Sequence, residues 1–66
     1  MRAQVNGTEH EFADGSTLTE VLEKVGANRR GVAVALDGEV VRRGSWAEAV
    51  VPPGAHIEIL TAVQGG

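Results

Sequence analysis

Val32-Ala33-Val34-Ala35-Leu36-Asp37-Gly38-Glu39-Val40-Val41 is the stretch on which the fold turns. Its first five residues form a near-continuous apolar run. Their length and β-branched content predict a central strand, covered on both faces or on one face with a partner on the other. Asp37-Gly38 is a two-residue hairpin signal, because both residues tolerate the positive φ of a type I′ turn. Glu39-Val40-Val41 then returns alongside.

A similar hairpin opens the chain. Ala3 and Val5 alternate with Arg2 and Gln4, and Asn6-Gly7 supplies the turn. Thr8, His10 and Phe12 then alternate with Glu9 and Glu11, which predicts a second strand with one acidic, wet face. Asp14-Gly15 ends it. A helix is expected between the two hairpins. Thr17 with Glu20 three residues on fits a capping box. Leu18, Val21, Leu22 and Val25 fall at i, i+3, i+4 and i+7 and make one apolar stripe. Gly26 stands where a left-handed residue would close the helix.

Beyond the central hairpin, Ser45-Trp46-Ala47-Glu48 offers a second capping box over a short helical turn, and Pro52-Pro53-Gly54 breaks the chain. A last strand is expected over about 55–61, with His56-Ile57-Glu58-Ile59-Leu60-Thr61 as its body. Residues 1–61 thus read as one domain and 62–66 as a flexible tail ending in Gly65-Gly66. The order β-β-α-β-β-β, two hairpins around one helix, predicts an α+β fold. The helix packs on one face of a mixed, roughly five-stranded sheet. This is the β-grasp arrangement of ubiquitin-like proteins.

The bulk numbers narrow the function. Sixty-six residues make a single domain, too small to enclose a deep catalytic pocket easily. There is no cysteine, so disulfides, cysteine metal sites and cysteine nucleophiles are excluded. A net charge of −3 argues against nucleic-acid binding, which needs a basic stripe to neutralise phosphates. No apolar run is long enough to span a membrane and no signal peptide opens the chain, so a soluble cytoplasmic protein is expected.

Few residues offer chemistry. His10 and His56 lie on separate strands with no third ligand nearby, and structural or surface roles suit them better than a metal. Ser16 and Ser45 read as helix caps. The glutamates read as solvated faces and caps. Trp46 reads as a core plug and Arg42-Arg43 as a solvated edge. Two features remain. One is the tail, since two final glycines pack nothing and would put a free carboxylate on the slimmest backbone available. The other is the sheet face turned away from the helix. If Val32, Val34 and Leu36 face the core with Ile57 and Ile59, then Ala33, Ala35 and Leu60 face outward. That makes a candidate docking surface, set against the ordinary scatter of surface apolar residues.

Several of these stretches resemble the thiamine-biosynthesis sulfur carriers, the ThiS family of ubiquitin-like β-grasp proteins. Val5-Asn6-Gly7 resembles the family's opening turn, Val32 to Val41 its central hairpin, and Ser45-Trp46 the turn that follows. Ile57-Glu58-Ile59-Leu60-Thr61-Ala62-Val63-Gln64-Gly65-Gly66 resembles its ending almost throughout. Asp37 departs from the asparagine common there, and Ala55 from a common aspartate. The resemblance implies a carrier with no catalytic residues and no permanently bound cofactor. An activating enzyme using ATP with magnesium would adenylate the Gly66 carboxylate. A sulfur donor of the cysteine desulfurase type would convert it to a thiocarboxylate, and thiazole synthase would receive the sulfur. Gly65, Gln64 and Val63 would thread into these enzymes while Leu60, Ala33 and Ala35 dock. A free monomer with transient partners is expected. The alternatives are a molybdopterin-synthase small subunit, another ubiquitin-like sulfur carrier or modifier, and a non-covalent β-grasp interaction module.

Overall fold

Asn6 and Gly7 take φ of +50° and +84°, and Asp37 and Gly38 take +49° and +87°. Two consecutive positive values are the mark of a type I′ turn, whose twist matches that of the strands it joins. In the computed structural model, which describes residues 1–28 and 30–61, these turns join β1 (Arg2–Val5) to β2 (Thr8–Glu11) and β3 (Val32–Leu36) to β4 (Glu39–Val41). The last strand, β5 (His56–Thr61), lies between the hairpins in the order β2-β1-β5-β3-β4. It runs parallel to β1 and antiparallel to β3.

The expected element order is therefore present, with one correction. β3 is not the central strand; β5 takes that place, and β3 is covered on one face only. Of the two coverings the apolar run allowed, the structure shows the one-faced one: Ala33 is exposed and Ala35 half-buried. Alanine counts as apolar in a pattern but has little side-chain surface to hide.

Helix α1 (Leu18–Lys24) crosses the other face. Thr17 caps it: its hydroxyl accepts from the Glu20 N–H at 3.3 Å, while the Glu20 carboxylate accepts from the Thr17 N–H at 2.8 Å. Gly26, at φ +76°, closes it. The Gly26 N–H donates to the Glu23 carbonyl at 3.2 Å and the Ala27 N–H to the Leu22 carbonyl at 2.8 Å, the paired bonds of a Schellman motif. Leu18, Val21 and Leu22 are fully buried against Ala3, Val5, Val34 and Ile57, and Val25 packs at the margin. Seven residues are too few to hold a helix alone, so this packing is what keeps it.

Both serines depart from expectation. Ser16 precedes the cap, and its hydroxyl donates to the Ala13 carbonyl at 2.7 Å. Ser45 ends a 3₁₀ turn (Arg43–Ser45) that has no side-chain cap. That turn starts upstream of Ser45, because the N–H groups of Ser45 and Trp46 already donate to the carbonyls of Arg42 and Arg43 at 2.8 and 3.1 Å. Trp46 is the expected plug, 2% exposed, with its indole N–H donating to the Val41 carbonyl at 2.8 Å. The Arg43 guanidinium lies 4.9 Å from its ring centre. Downstream, the N–H of Leu18 donates to the Ala49 carbonyl at 2.9 Å and that of Val51 to the Ser16 carbonyl at 2.8 Å, tying the segment to the mouth of the helix. Ala55 is buried, and backbone bonds hold its turn, among them Gly54 N–H to Arg2 carbonyl at 2.7 Å, Gln4 N–H to Ala55 carbonyl at 2.9 Å and Ala55 N–H to Pro52 carbonyl at 3.2 Å.

Candidate functional site

Side chains alternate across β5, and the register assigns its two faces. Ile57 and Ile59 pair with Leu36 and Val34 toward the helix, while Glu58 and Leu60 pair with Ala35 and Ala33 on the open face. The expected parity holds at every one of these positions. Val40 pairs with Ala35 and so joins the same face, which the initial reading missed. A two-residue turn at 37 and 38 sets 36 opposite 39 and 35 opposite 40, so counting outward from Asp37-Gly38 would have found it. Leu60 and Val40 are 69% and 77% exposed. The result is an apolar pad of Ala33, Ala35, Val40 and Leu60.

Charge borders the pad. Glu58 sits within it, and His56 lies across from Gln4. Arg2, Glu9 and Glu11 follow on the β1–β2 side, with Arg2 3.5 Å from Glu9 and 3.3 Å from Glu11. The hydrogen bond from the Met1 ammonium, with that from Arg2 after it, holds the Glu11 carboxyl below its usual range. The same ammonium is held above its usual value, first by its hydrogen bond to Asp14 and then by Glu11, against an opposing cost of burial. His10 faces the helix side beside Ala3 and meets the Phe12 ring at 5.9 Å. Among the described residues no three histidine, aspartate or glutamate side chains are grouped to hold a metal ion. No helix among them is long and apolar enough to cross a membrane.

β5 is gripped at two points by turn residues. The Asp37 N–H donates to the His56 carbonyl at 2.8 Å, and its Oδ1 accepts from the His56 N–H at 2.8 Å. Only a side-chain oxygen of Asp37 is used in this contact, a role that aspartate and asparagine can both fill. On the opposite edge the Asn6 carboxamide takes both backbone groups of Ile59. Its Oδ1 accepts from the Ile59 N–H at 2.8 Å and its Nδ2 donates to the Ile59 carbonyl at 3.2 Å. Thr61, paired with Val32, is the last described residue of the strand. Val63, Gln64, Gly65 and Gly66, expected to form the business end, lie outside the described residues.

The fold and this face define a ubiquitin-like β-grasp protein with an open, partly apolar sheet surface. Its sequence matches the ThiS family model over residues 2–66. It is 30% identical to the sulfur carrier protein ThiS of Escherichia coli (strain K12) over 66 residues, the full length of both. It is 33% identical over 66 residues to a thiazole synthase of Paramagnetospirillum magneticum, where the match spans 20% of that protein. The crystal structure of the thiamine biosynthesis protein ThiS from Geobacter metallireducens superposes with a TM-score of 0.85 at 30% identity, over all of both chains. The solution structure of a thiamine biosynthesis protein from the same organism gives 0.77, covering 88% of that chain. The chain belongs to the ThiS family, the small sulfur carrier proteins of thiamine biosynthesis.

Proposed function

We propose that the chain carries its sulfur as a thiocarboxylate on Gly66, with residues 62–66 as an extended tail and the open sheet face as the surface its enzymes grip. The observation that supports this most is the placement of Leu60. It is exposed on the open face, on the same central strand that leads into the tail.

The chemistry explains why such a tail is useful. A carboxylate resists attack by sulfur because its oxygens are poor leaving groups. In the activating enzyme, a Gly66 carboxylate oxygen attacks the α-phosphorus of ATP and pyrophosphate departs. A sulfide equivalent from a cysteine desulfurase type donor then attacks the acyl carbon, and AMP leaves with that oxygen. The net change is one oxygen replaced by one sulfur. Each step needs the acyl carbon aligned in a site from which water is excluded. Gly65 and Gly66 lack Cβ atoms, so they can thread a narrow channel and take dihedrals closed to other residues. Five extended residues reach at most about 17 Å.

In this reading the protein contributes no catalytic residue, and ATP with magnesium belongs to the activating enzyme. Thiazole synthase is the acceptor of the sulfur. A stretch similar to this whole chain forms part of a thiazole synthase in Paramagnetospirillum magneticum, which favours that partner. The carrier works in the cytoplasm as a monomer between encounters. Incubation with activating enzyme, magnesium ATP and hydrosulfide, followed by mass spectrometry, tests this. The expected product has one oxygen exchanged for sulfur at Gly66. The Gly66→Ala variant should form no adenylate while its thermal unfolding midpoint stays where it was. Undiminished sulfur uptake by a chain lacking Gly66 would refute the assignment.

A further inference from the structure

β1 and β5 do not end together. The parallel ladder between them covers Gln4 with His56 and Val5 with Ile57, and its last backbone bond runs from the Asn6 N–H to the Ile57 carbonyl at 2.9 Å. The chain then turns away through Gly7, yet β5 continues four residues further, to Thr61. On that side the Ile59 N–H and carbonyl would have no strand to meet. The Asn6 side chain fills the gap in one planar group, its oxygen accepting from the Ile59 N–H and its amide N–H donating to the Ile59 carbonyl, as a further strand residue would. The turn itself does not need this, since glycine serves a type I′ turn as well as asparagine does.

From this the geometry points to Asn6 as a positioning residue for the acyl chemistry at Gly66. β3 pairs with β5 as far as Thr61 on one side, and the Asn6 carboxamide holds Ile59 from the β1 side, so the end of β5 is bound along both edges. The tail is therefore joined at a fixed point relative to the docking pad. This rests on the carrier function proposed above and deepens it. A strand end that frays on one side would still present Leu60, Val40 and Ala33 to the enzyme. It would deliver the carboxylate to a smeared set of positions, and misplacement of about 1 Å can cost on the order of a hundredfold in rate.

Two variants separate the clamp from the turn. Asn6→Gly keeps the positive φ and the backbone bond to Ile57 and removes only the carboxamide. Asn6→Asp restores an acceptor for the Ile59 N–H, the same use of Oδ1 that Asp37 makes at His56. Amide hydrogen exchange at Ile59 reads the clamp without any enzyme. Pyrophosphate release by the activating enzyme, with magnesium ATP and varied carrier concentration, reads the adenylation of Gly66.

The expected results for Asn6→Gly are rapid exchange at Ile59, turnover lowered by about tenfold, and a half-saturating carrier concentration within about twofold of the native value. Asn6→Asp should recover the Ile59 protection and most of the turnover, and it carries the test alone should the glycine variant not fold. An Ile59 amide as protected in Asn6→Gly as in the native chain would overturn the proposal. So would native turnover despite lost protection, or an Asn6→Asp variant with a protected Ile59 that stays slow. A native chain that releases no pyrophosphate would sink the carrier reading itself, and the positioning role with it, before any variant is made.

Discussion

Ile59 and Leu60 are neighbours in sequence with opposite surroundings: Ile59 packs against the core, and Leu60 projects from the open face at 69% exposure. One residue of register separates them, so the same substitution should do different things at each. Leu60→Glu should leave the unfolding midpoint nearly unchanged, since surface replacements usually stay within about 0.5 kcal/mol. It should weaken binding to the activating enzyme by about 2 kcal/mol, roughly thirtyfold, if Leu60 is an anchor of the interface. Titration calorimetry with that enzyme reads the second effect and a thermal melt the first. A variant that binds normally would remove Leu60 from the interface. The outward placement of Leu60, Ala33 and Ala35 was legible because strand alternation is a local rule. Val40 was less so, since its face depends on counting register around a turn. The grip of Asn6 and Asp37 on β5 was invisible, as it joins residues 53 and 19 positions apart.

At the level of elements, α1 carries stop signals at both ends that can be tested together. Thr17→Ala removes the hydroxyl that accepts from the Glu20 N–H, while the backbone N–H of residue 17 keeps its bond to the Glu20 carboxylate, and should cost about 1 kcal/mol. Gly26→Ala puts a Cβ on a residue at φ +76°, with nothing nearby to obstruct it, so the penalty is backbone strain of about 1–2 kcal/mol. Nine residues of helical rise separate the two sites by about 13 Å. Their effects in urea denaturation should therefore add to within about 0.5 kcal/mol in the double variant. A markedly smaller sum would mean that the helix frays as one unit once either end is released. The caps and both hairpin turns could be read from the sequence because each is settled within about six neighbouring residues. The rank of β3 in the sheet could not. An apolar run records that a strand is buried on some face, whereas strand order is settled by which distant segment enters the sheet. Here that segment is β5, arriving after the break at Pro52-Pro53. Ser16 and Ser45 misled for a related reason: a capping residue type is common, and only the neighbouring backbone bonds decide which one sits at the mouth of a helix.

For the molecule as a whole, acid stability is linked to the ion pairs that Glu11 makes. Glu11 is held below its ordinary value of 4.5 by the Met1 ammonium and Arg2. Its folded pKa is the lower one, so its contribution is present above the unfolded value and is lost as pH falls through the folded value. Glu11→Gln should therefore flatten the decline in thermal midpoint as pH falls below about 4.5, and a decline as steep as the native one would show that other carboxylates govern it. The carrier function makes a larger demand on the fold. In the proposed role, fixing the backbone of five residues in an enzyme channel would cost about 5–10 kcal/mol of entropy, which two glycines cannot recover by packing. On the proposed carrier role, a docked domain would offset this by making entry of residues 62–66 an intramolecular event, at an effective concentration on the order of millimolar. A peptide of residues 57–66 carries the same carboxylate and the same glycines but neither the pad formed with β3 and β4 nor the grip of Asn6. With the activating enzyme and magnesium ATP, it should need a concentration at least about a hundredfold higher than the whole chain to reach the same rate of pyrophosphate release. If the peptide matched the whole chain, the sheet face would have no part in recognition and the domain would be only a handle for its tail.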